Sequence, residues 1–316
     1  MRVLVTGATG FVGRSVTMAL LGDGHEVHGL VRDPASARGL REAGVSLHAG
    51  DMREPGTYVP LVGQVDAVVQ AAQLSTAGRV TRAKARAVFA AEHTMTSALA
   101  QACLDQHKRL VYTGGCFDWG DHGEELITEQ TPLSPSPMGQ GHAREAAALQ
   151  RLHEDQGLDV VRLNPGFVYG PGGLLKSAFI DQARRGRLRC IGAGRNWWSC
   201  VHVEDLGRAY AAALTKAAPG SYYAVADSEP IRLRDLTDVV TDAMQTKRVG
   251  SSPPWLVALF AGRPLVASLV TSFRVDATRI RDELHWRPAH PSFRESGPAE
   301  VSTLIQAGGQ GMAERT

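Results

Sequence analysis

Residues 1–13 read MRVLVTGATGFVG, and the order of residue types in this stretch decides the fold. Arg2 to Thr6 is a β-branched run without charge after Arg2, which is typical of a buried parallel strand. A helix is predicted from Arg14 to Leu21. Between strand and helix, three glycines stand at three-residue intervals, at Gly7, Gly10 and Gly13. The chain therefore opens with a strand, a glycine-rich turn and a helix.

The glycine-rich turn predicts a site for the pyrophosphate of a dinucleotide. One glycine permits the tight turn, one lets backbone N–H groups approach the phosphates, and one lets the helix pack closely on the strand. The N-terminus of the helix adds unpaired N–H groups and a positive dipole end. A structural turn without a ligand is the alternative. The residues predicted to contact the dinucleotide here are Gly7, Thr9, Gly10, Phe11, Val12 and Gly13.

The composition is that of an ordinary globular protein, with 43% hydrophobic and 21% charged residues among 316. A formal net charge of +2, without blocks of lysine or arginine, predicts no nucleic-acid partner. The four cysteines lack the pair spacing of metal sites, so we expect reduced thiols, no metal and a cytoplasmic location. The first residues belong to the first strand, which predicts no signal peptide.

One apolar stretch, Pro254 to Ser272, has the composition of a membrane segment. Arg263 and Pro264 divide it in the middle, and neither half is long enough to span a bilayer. The sequence therefore predicts no membrane span, and instead a buried helix pair in a substrate-binding lobe.

The end of the second predicted strand, Glu26 to Val31, indicates which dinucleotide binds. An acidic residue at such a strand end binds the ribose 2′-OH of NAD, whereas an arginine there accommodates a 2′-phosphate. Here Val31 holds the acidic position and Arg32 follows it. Asp33 lies after the acidic position and before a proline, so it is a poorer ribose ligand than an acidic residue at position 31 would be. NADP(H) is therefore predicted, with NAD(H) as the second choice and a solvated surface arginine as the alternative.

Short β-rich runs alternate with helical segments in the first half of the chain, which predicts parallel βαβ units and a doubly wound α/β sheet. Small residues after the fourth strand let the chain approach a cofactor, so Ala71, Ala72 and Gln73 are predicted to contact it. The further predicted strands are 45–48, 66–70 and 109–113, and the further predicted helices are 35–43, 55–62, 81–107 and 139–156.

With these segments in place, the sequence resembles the extended short-chain dehydrogenase/reductase superfamily, also described as NAD-dependent epimerases/dehydratases. The resemblance rests on five motifs in order: TGATGFVG at Thr6–Gly13, GDM at Gly50–Met52, RLNPGFVYGPG at Arg162–Gly172, CVHVEDL at Cys200–Leu206 and ELHWRP at Glu283–Pro288. It implies a Rossmann-type dinucleotide-binding domain over residues 1–166 with a return around 200–226, and a substrate-binding lobe from 167–199 and 227–316. It also implies contacts from Asp51 and Met52 to the adenine, and from Pro165, Phe167 and Val168 to the nicotinamide.

The catalytic pair of this family is missing from the sequence. The family places Tyr-x-x-x-Lys on a helix, where the tyrosine transfers a proton and the lysine holds the ribose. In the matching register Met138 stands at the tyrosine position and His142 at the lysine position. His142 could hold the ribose or shuttle a proton, since its unperturbed pKa lies near neutrality, and the alternative is a surface histidine.

Two further side chains near the expected site carry a hydroxyl and a thiol, namely Thr113 and Cys116. Cysteines in such positions are more often small buried fillers than nucleophiles. The predicted catalytic residues are accordingly His142, Thr113 and Cys116, and the nicotinamide is expected between Thr113, His142 and residues 165–168.

The aromatic residues expected near the cleft have few charged neighbours, which predicts a pocket for a hydrophobic small-molecule substrate. They are Phe117, Trp119, Phe167, Phe179, Trp197 and Trp198. The expected function is an atypical NADP(H)-dependent reductase or isomerase acting on a carbonyl or enone. Two alternatives stay open: a non-catalytic NADP-binding sensor or scaffold, and a sugar-nucleotide epimerase or dehydratase with relocated catalytic groups. The resemblance also implies a homodimer, paired through helices 81–107 and 139–156.

Overall fold

The computed structural model describes residues 1–74 and 78–313, with side chains up to residue 306. The strands in this part of the chain are β1 (Arg2–Thr6), β2 (Glu26–Val31), β3 (Ser46–Ala49), β4 (Ala67–Gln70), β5 (Arg109–Thr113), β6 (Leu126–Ile127), β7 (Val160–Pro165), β8 (Phe167–Tyr169), β9 (Cys190–Ile191), β10 (Trp197–Trp198), β11 (Cys200–His202), β12 (Tyr222–Val225), β13 (Ile231–Arg232), β14 (Ser251–Ser252) and β15 (Arg274–Val275). The helices are α1 (Phe11–Gly22), α2 (Arg38–Glu42), α3 (Val59–Val62), α4 (Arg82–Asp105), α5 (Gln140–Gln156), α6 (Asp181–Arg184), α7 (Val203–Lys216), α8 (Leu233–Ala243), α9 (Pro254–Ala261), α10 (Arg263–Leu269), α11 (Thr278–Glu283) and α12 (Phe293–Ala313).

Seven strands form one parallel sheet in the order β12-β7-β5-β4-β1-β2-β3. Residues Val3, Leu4 and Val5 in the middle of β1 are 0% exposed, as expected where helices cover both faces of a parallel sheet. The direction in which strands are added reverses between β1 and β4, and a crevice for a ligand opens there at the carboxyl ends of the strands. The predicted doubly wound α/β sheet is confirmed.

Two pairs of helices cover the two faces of the sheet. On one face α1 packs against α7, where an added Cβ on Gly207 would lie 2.7 Å from the Ser15 carbonyl oxygen. On the other face α4 packs against α5, where an added Cβ on Gly141 would lie 2.4 Å from the ring of Phe89. Both contacts are close because a glycine stands at the crossing.

Four short two-strand pairs lie outside the main sheet, namely β8–β11, β9–β14, β10–β13 and β6–β15. Six of these strands, β8 to β10 and β13 to β15, lie with α8 to α12 in the region predicted for the substrate-binding lobe, whereas β6 and β11 lie in the region predicted for the dinucleotide-binding domain. The edge strand β12 of the main sheet comes from the predicted return of the chain around residues 200–226. The boundaries given for the substrate-binding lobe, residues 167–199 and 227–316, remain a prediction.

Three helix predictions need correction. Helix α1 begins at Phe11 rather than Arg14, because the turn closes early with the Gly10 N–H donating to the Gly7 carbonyl at 2.8 Å. The predicted helix 35–43 shrinks to α2, because residues 33–36 form a turn held by the carboxylate and carbonyl of Asp33. The predicted pair 254–272 does form α9 and α10, but α9 is not buried, since Trp255 is 67% exposed. None of the described helices has both the length and the apolar composition to cross a bilayer.

The late His-Val-x-Asp motif fastens the C-terminal segment to the sheet. The His202 ring accepts the Glu204 N–H and thereby caps α7. The Asp205 carboxylate accepts the backbone N–H groups of Ala289 and His290 and contacts His290 Nδ1 at 3.0 Å. The two histidine rings stack with centroids 3.6 Å apart. Burial, with the neighbouring His290, lowers the pKa of His202 to about 4, so this ring is neutral near pH 7. The motif therefore has a structural role here.

Candidate active site

The glycine turn forms a cradle that only backbone can occupy. Gly7 has φ +67°, and an added Cβ there would lie 2.7 Å from Ala72 Cα. An added Cβ on Gly13 would lie 2.1 Å from the Gly7 carbonyl oxygen. Thr9 and Gly10 at the tip are exposed, while Phe11 and Val12 are partly buried. The cradle thus fits the pyrophosphate of a dinucleotide, bound by N–H groups at the start of α1.

The ends of β1 and β4 are joined beside this cradle. Thr6 Oγ1 accepts the N–H groups of Ala71 and Ala72, each at 3.2 Å. Ala71 and Ala72 are partly buried, and Gln73 after them is exposed. These three residues therefore border the crevice at the switch point, where the sequence predicts cofactor contacts.

Positive charge collects at the predicted adenosine end of the crevice. Arg32 is exposed, and its charge contributes to the lowered pKa of the Asp51 carboxyl. The larger cause is Arg53, which sequence reasoning missed and which holds Asp51 through hydrogen bonds of 2.7–2.9 Å. Asp33 is occupied in a turn, with its carboxylate accepting the Ala35 N–H at 2.9 Å. Two arginines therefore border this end, together with one carboxylate that is ion-paired with Arg53.

Met52, predicted to contact the adenine, packs mainly into the core. Its side chain is 8% exposed, and Tyr58 Oη donates to its carbonyl oxygen at 3.2 Å. Only the exposed edge of Met52 can reach a ligand in the crevice.

His142 lies in the first turn of α5 with acidic groups on both sides of its ring. Its Nε2 is 3.2 Å from Glu92 Oε1, and its Nδ1 is 3.6 Å from Asp118 Oδ1. Nε2 is also 3.2 Å from the side-chain amide of Gln73. The His142 side chain is 15% exposed, so it is largely buried but open on one side. It meets residues that follow β4 and β5, at the same edge as the glycine cradle.

These carboxylates keep the His142 ring protonated. Burial alone lowers the pKa of His142, but the nearby Asp118 carboxylate and the charges of Glu92 and Glu145 outweigh burial and raise the pKa to about 9. A protonated imidazole has two N–H donors, so the Gln73 amide then turns its oxygen to Nε2. At the family's lysine position, His142 therefore supplies a cation near pH 7.

The two acidic groups are held in place by further hydrogen bonds. Tyr112 Oη donates to Glu92 Oε1 at 2.6 Å. Asp118 Oδ2 accepts from Asn164 Nδ2 at 2.9 Å and from the Gly115 N–H at 3.2 Å. Glu92 and Asp118 are 4% and 0% exposed, and a buried charge that is not paired is strongly destabilising. The cation on His142 and the two anions therefore stabilise each other.

Sequence reasoning did not find Glu92, although a signal was present. The buried face of α4 runs through Ala85, Val88, Met95 and Leu99, at helical spacing, and Glu92 falls on the same face. A carboxylate in the middle of an apolar stripe predicts a buried partner of opposite charge.

The hydroxyl of Thr113 and the thiol of Cys116 are not available for catalysis. Thr113 Oγ1 donates to the Gln70 carbonyl at 2.6 Å and accepts from Tyr210 Oη at 2.6 Å. Burial raises the pKa of the Cys116 thiol, with the charge of Asp118 acting in the same direction. The Cys116 thiol therefore stays protonated near pH 7, and the structure does not support a catalytic role for either residue.

Met138, at the family's tyrosine position, lies two residues before the start of α5. It is 8% exposed and packs against Val80 and Ala85. No proton-transferring group stands at this position.

Of the residues predicted near the nicotinamide, Phe167 lines an apolar cavity. Pro165 is buried at the end of β7, Phe167 is 6% exposed, and Val168 is partly buried. A cavity of about 100 Å³ lies behind Phe167, lined also by Phe179, Trp198, Leu265 and Leu269, among others. It is the size of a small apolar group.

A row of aromatic rings leads from this cavity toward Asp118. Trp198 contacts Phe167 with centroids 4.9 Å apart and stacks on Phe273 at 5.8 Å. Phe273 in turn meets Phe117, next to Asp118, edge-on at 6.3 Å. Of the other two predicted aromatics, Trp119 is fully buried in the core, and Trp197 lies under the guanidinium groups of Arg232 and Arg274 instead.

The charge network makes the stability of the fold depend on pH. Because the pKa of His142 is raised from 6.5 to about 9, its contribution to the free energy of unfolding is complete below about pH 6.5 and is lost as pH rises through 9. Replacing Glu92 by glutamine removes a charge that raises this pKa. We expect the free energy of unfolding of Glu92→Gln to fall less steeply than that of the wild type between about pH 7 and 9, as measured by urea denaturation.

The matched control is Glu42→Gln, since Glu42 forms an exposed pair with Arg38 on α2. This variant is expected to keep the wild-type slope, because exposed pairs contribute little. A Glu92→Gln slope equal to that of the wild type would show that Glu92 does not hold the proton on His142.

A glycine cradle at the switch point of a parallel sheet, with a cation at the lysine position, defines an enzyme of the short-chain dehydrogenase/reductase class. The model of the NAD dependent epimerase/dehydratase family matches residues 3–226, and the chain belongs to this family.

Proteins that are similar in sequence to this chain include reductases. The chain is 28% identical over 316 residues to the 2-alkyl-3-oxoalkanoate reductase of Stenotrophomonas maltophilia, covering 94% of each chain. It is 29% identical over 305 residues to the 3-diazoavenalumate denitrifying reductase of a Streptomyces species, covering 93% of this chain and 98% of that one. A crystal structure of DesIV, a dTDP-glucose 4,6-dehydratase from Streptomyces venezuelae with NAD and TYD bound, has a TM-score of 0.84 at 24% identity over 98% of each chain, which shows the shared fold. The chain is thus an enzyme with reductase relatives, and these do not favour the non-catalytic alternative.

Proposed function

We propose that this enzyme is an NADP(H)-dependent reductase that acts on a carbonyl or enone of a hydrophobic small metabolite, with His142 as the acid. The observation that carries the proposal is the protonated His142 at the lysine position, 3.2 Å from Glu92 and beside the crevice. An isomerase with the same acid is second, because the relatives quoted above are named as reductases.

Different residues of this chain have separate roles in the reduction. When bound, the nicotinamide supplies a hydride to the carbonyl carbon. The glycine cradle would hold the pyrophosphate, and the protonated His142 ring donates a proton to the carbonyl oxygen, which gives the alcohol. Glu92 and Asp118 stabilise the proton on His142 before transfer, and solvent on the open side of the ring restores it afterwards. One positioned histidine therefore replaces the proton transfer that the family assigns to tyrosine.

The preference for NADP(H) rests on Arg32 with Arg53 at the adenosine end. We expect Arg32→Ala to weaken NADPH binding by about tenfold or more and to leave NADH binding nearly unchanged, because only NADPH carries the 2′-phosphate. Titration followed by nicotinamide fluorescence measures both affinities. Arg38→Ala is the control, since Arg38 is exposed and paired with Glu42 on α2. Equal losses for both dinucleotides would contradict a 2′-phosphate contact.

The substrate class is supported by the apolar cavity and by the names of two relatives. The cavity behind Phe167 takes a small apolar group, and the relative named 2-alkyl-3-oxoalkanoate reductase acts on a ketone that carries alkyl chains. A further relative from Stigmatella aurantiaca, 26% identical over 290 residues, is named as a ketoreductase of a farnesyl-bearing compound. Alkyl-substituted 3-oxo compounds are therefore the first substrates to try.

The test is NADPH oxidation by the purified enzyme, with alkyl-substituted 3-oxoacyl compounds in one series and sugar nucleotides in another. We expect turnover in the first series, with activity lost in His142→Ala. Turnover of sugar nucleotides alone would favour the epimerase or dehydratase alternative. The homodimer and the cytoplasmic location stay predictions.

A further inference from the structure

Helix α9 presents an apolar face to solvent. Trp255, Leu256, Leu259 and Phe260 are 67%, 37%, 55% and 76% exposed. At 3.6 residues per turn these four side chains lie within an arc of about 140°. Ala258 on the opposite side is buried against the protein. Contiguous exposed apolar side chains of this size mark an interaction surface.

Arginines stand at both ends of this helix. At its C-terminal end Arg79, Arg82 and Arg263 line one shallow depression, next to the bond from the Val80 N–H to the Ala261 carbonyl. All three arginines are exposed. Within the described residues, no carboxylate lies at ion-pair distance from any of them.

The N-terminal end of α9 lies against a second basic segment. Strand β14, just before α9, pairs with β9, and Pro254 lies 3.7 Å from the position of an added Cβ on Gly192. The turn before β9 carries three exposed arginines with no carboxylate at ion-pair distance among the described residues, namely Arg185, Arg187 and Arg189. Positive charge therefore flanks the apolar face on two sides.

We propose that this face, α9 with the two arginine groups, docks on the surface of a lipid bilayer that contains anionic headgroups. An apolar helix face inserts at the boundary of headgroups and acyl chains, and flanking arginines bind anionic lipids. A second copy of this chain fits less well, because a symmetric contact through α9 would bring like charges together. The inference goes beyond the proposed reductase and stands without it.

The position of α9 gives this contact a consequence for the apolar cavity. Residues that line the cavity lie near both ends of the helix: Ile191, which pairs with Ser252 just before its start, and Leu265 on α10 after its end. A bilayer bound at α9 would therefore lie beside the cavity. A substrate dissolved in that bilayer would be concentrated next to the cavity.

The test is co-sedimentation of the full chain with vesicles of phosphatidylcholine alone and of phosphatidylcholine mixed with phosphatidylglycerol. We expect binding to the mixed vesicles, with added salt weakening it, and little binding to phosphatidylcholine alone. The double variant L259S/F260S and the triple variant R79Q/R82Q/R263Q should each bind about tenfold or more weakly. The fluorescence of Trp255 should shift to shorter wavelength on binding, and W255F should lack that shift.

The controls are Leu126→Ser and Arg151→Gln, since both residues are exposed and belong to other elements, β6 and α5. They should bind vesicles as the wild type does. No wild-type binding to mixed vesicles, or equal binding to both kinds, would overturn the proposal. A dimer that dissociates in L259S/F260S, without vesicle binding, would assign the face to a second copy and would also overturn it. NADPH oxidation without vesicles tests the reductase separately.

Discussion

Replacing His142 by alanine is expected to lower kcat for NADPH-dependent reduction by about 10²–10⁴-fold, the usual loss for a removed general acid. The physical reason is the geometry of the network: the His142 side chain is 15% exposed beside the crevice, whereas the side chains of Glu92 and Asp118 next to it are 5% and 0% exposed. Initial rates with NADPH and a ketone substrate measure the effect.

The pH dependence of this rate distinguishes an acid from a merely structural histidine. Because the pKa of His142 is raised to about 9, the wild type should keep its activity from about pH 7 to 9 and lose it above, as the acid form disappears. His142→Lys restores the ammonium of the family and should retain more activity than His142→Ala. The control His107→Asn changes an exposed histidine with φ 53°, a conformation that asparagine tolerates. An alanine variant with unchanged kcat would remove His142 from the mechanism.

The second large effect is expected for Gly13→Ala. An added Cβ would lie 2.1 Å from the Gly7 carbonyl oxygen and 2.8 Å from the Gly7 carbonyl carbon, so backbone must move. Overpacking of this kind costs about 1–3 kcal/mol of stability. The displaced turn should also bind NADPH about 100-fold more weakly, because each hydrogen bond to a charged group contributes about 1.5–3 kcal/mol. Thermal unfolding and nicotinamide fluorescence measure the two losses.

The same helix offers a matched control in Gly22→Ala. Gly22 ends α1, and an added Cβ there meets no atom within 4 Å. Alanine in a helix is favoured over glycine by about 0.5–1 kcal/mol, so this variant should be as stable as the wild type or slightly more stable. If Gly13→Ala behaved like Gly22→Ala, the close packing of the glycine cradle would be refuted.

The sheet and the glycine turn could be predicted because their signals are local. The bounds of β2 and β5 were predicted to the residue, since each is a short β-rich run bounded by a turn. The missing tyrosine and lysine were also readable from the helix register. By contrast, the hydrogen bond that occupies Thr113 comes from Tyr210, which lies 97 residues away. Sequence spacing carries no information about such a partner.

The exposure of α9 and the role of Glu92 were missed for one physical reason, which is that both depend on packing between distant segments. The stretch 254–272 is apolar throughout, so its periodicity does not show which side of α9 lacks a neighbour. The role of Glu92 depends on α4 and α5 bringing it to His142, 50 residues later in the chain. The raised pKa of His142 follows from three carboxylates on three segments, and the sequence alone leaves their meeting undetermined.

The most direct test of this account is the pKa of His142, measured by NMR titration of the imidazole signals that disappear in His142→Gln. The account predicts a value near 9, well above the 6.5 of an unperturbed histidine. A value at or below 6.5 would contradict it, because His142 would then be neutral near pH 7 and could replace neither the charge of the family's lysine nor the proton of its tyrosine.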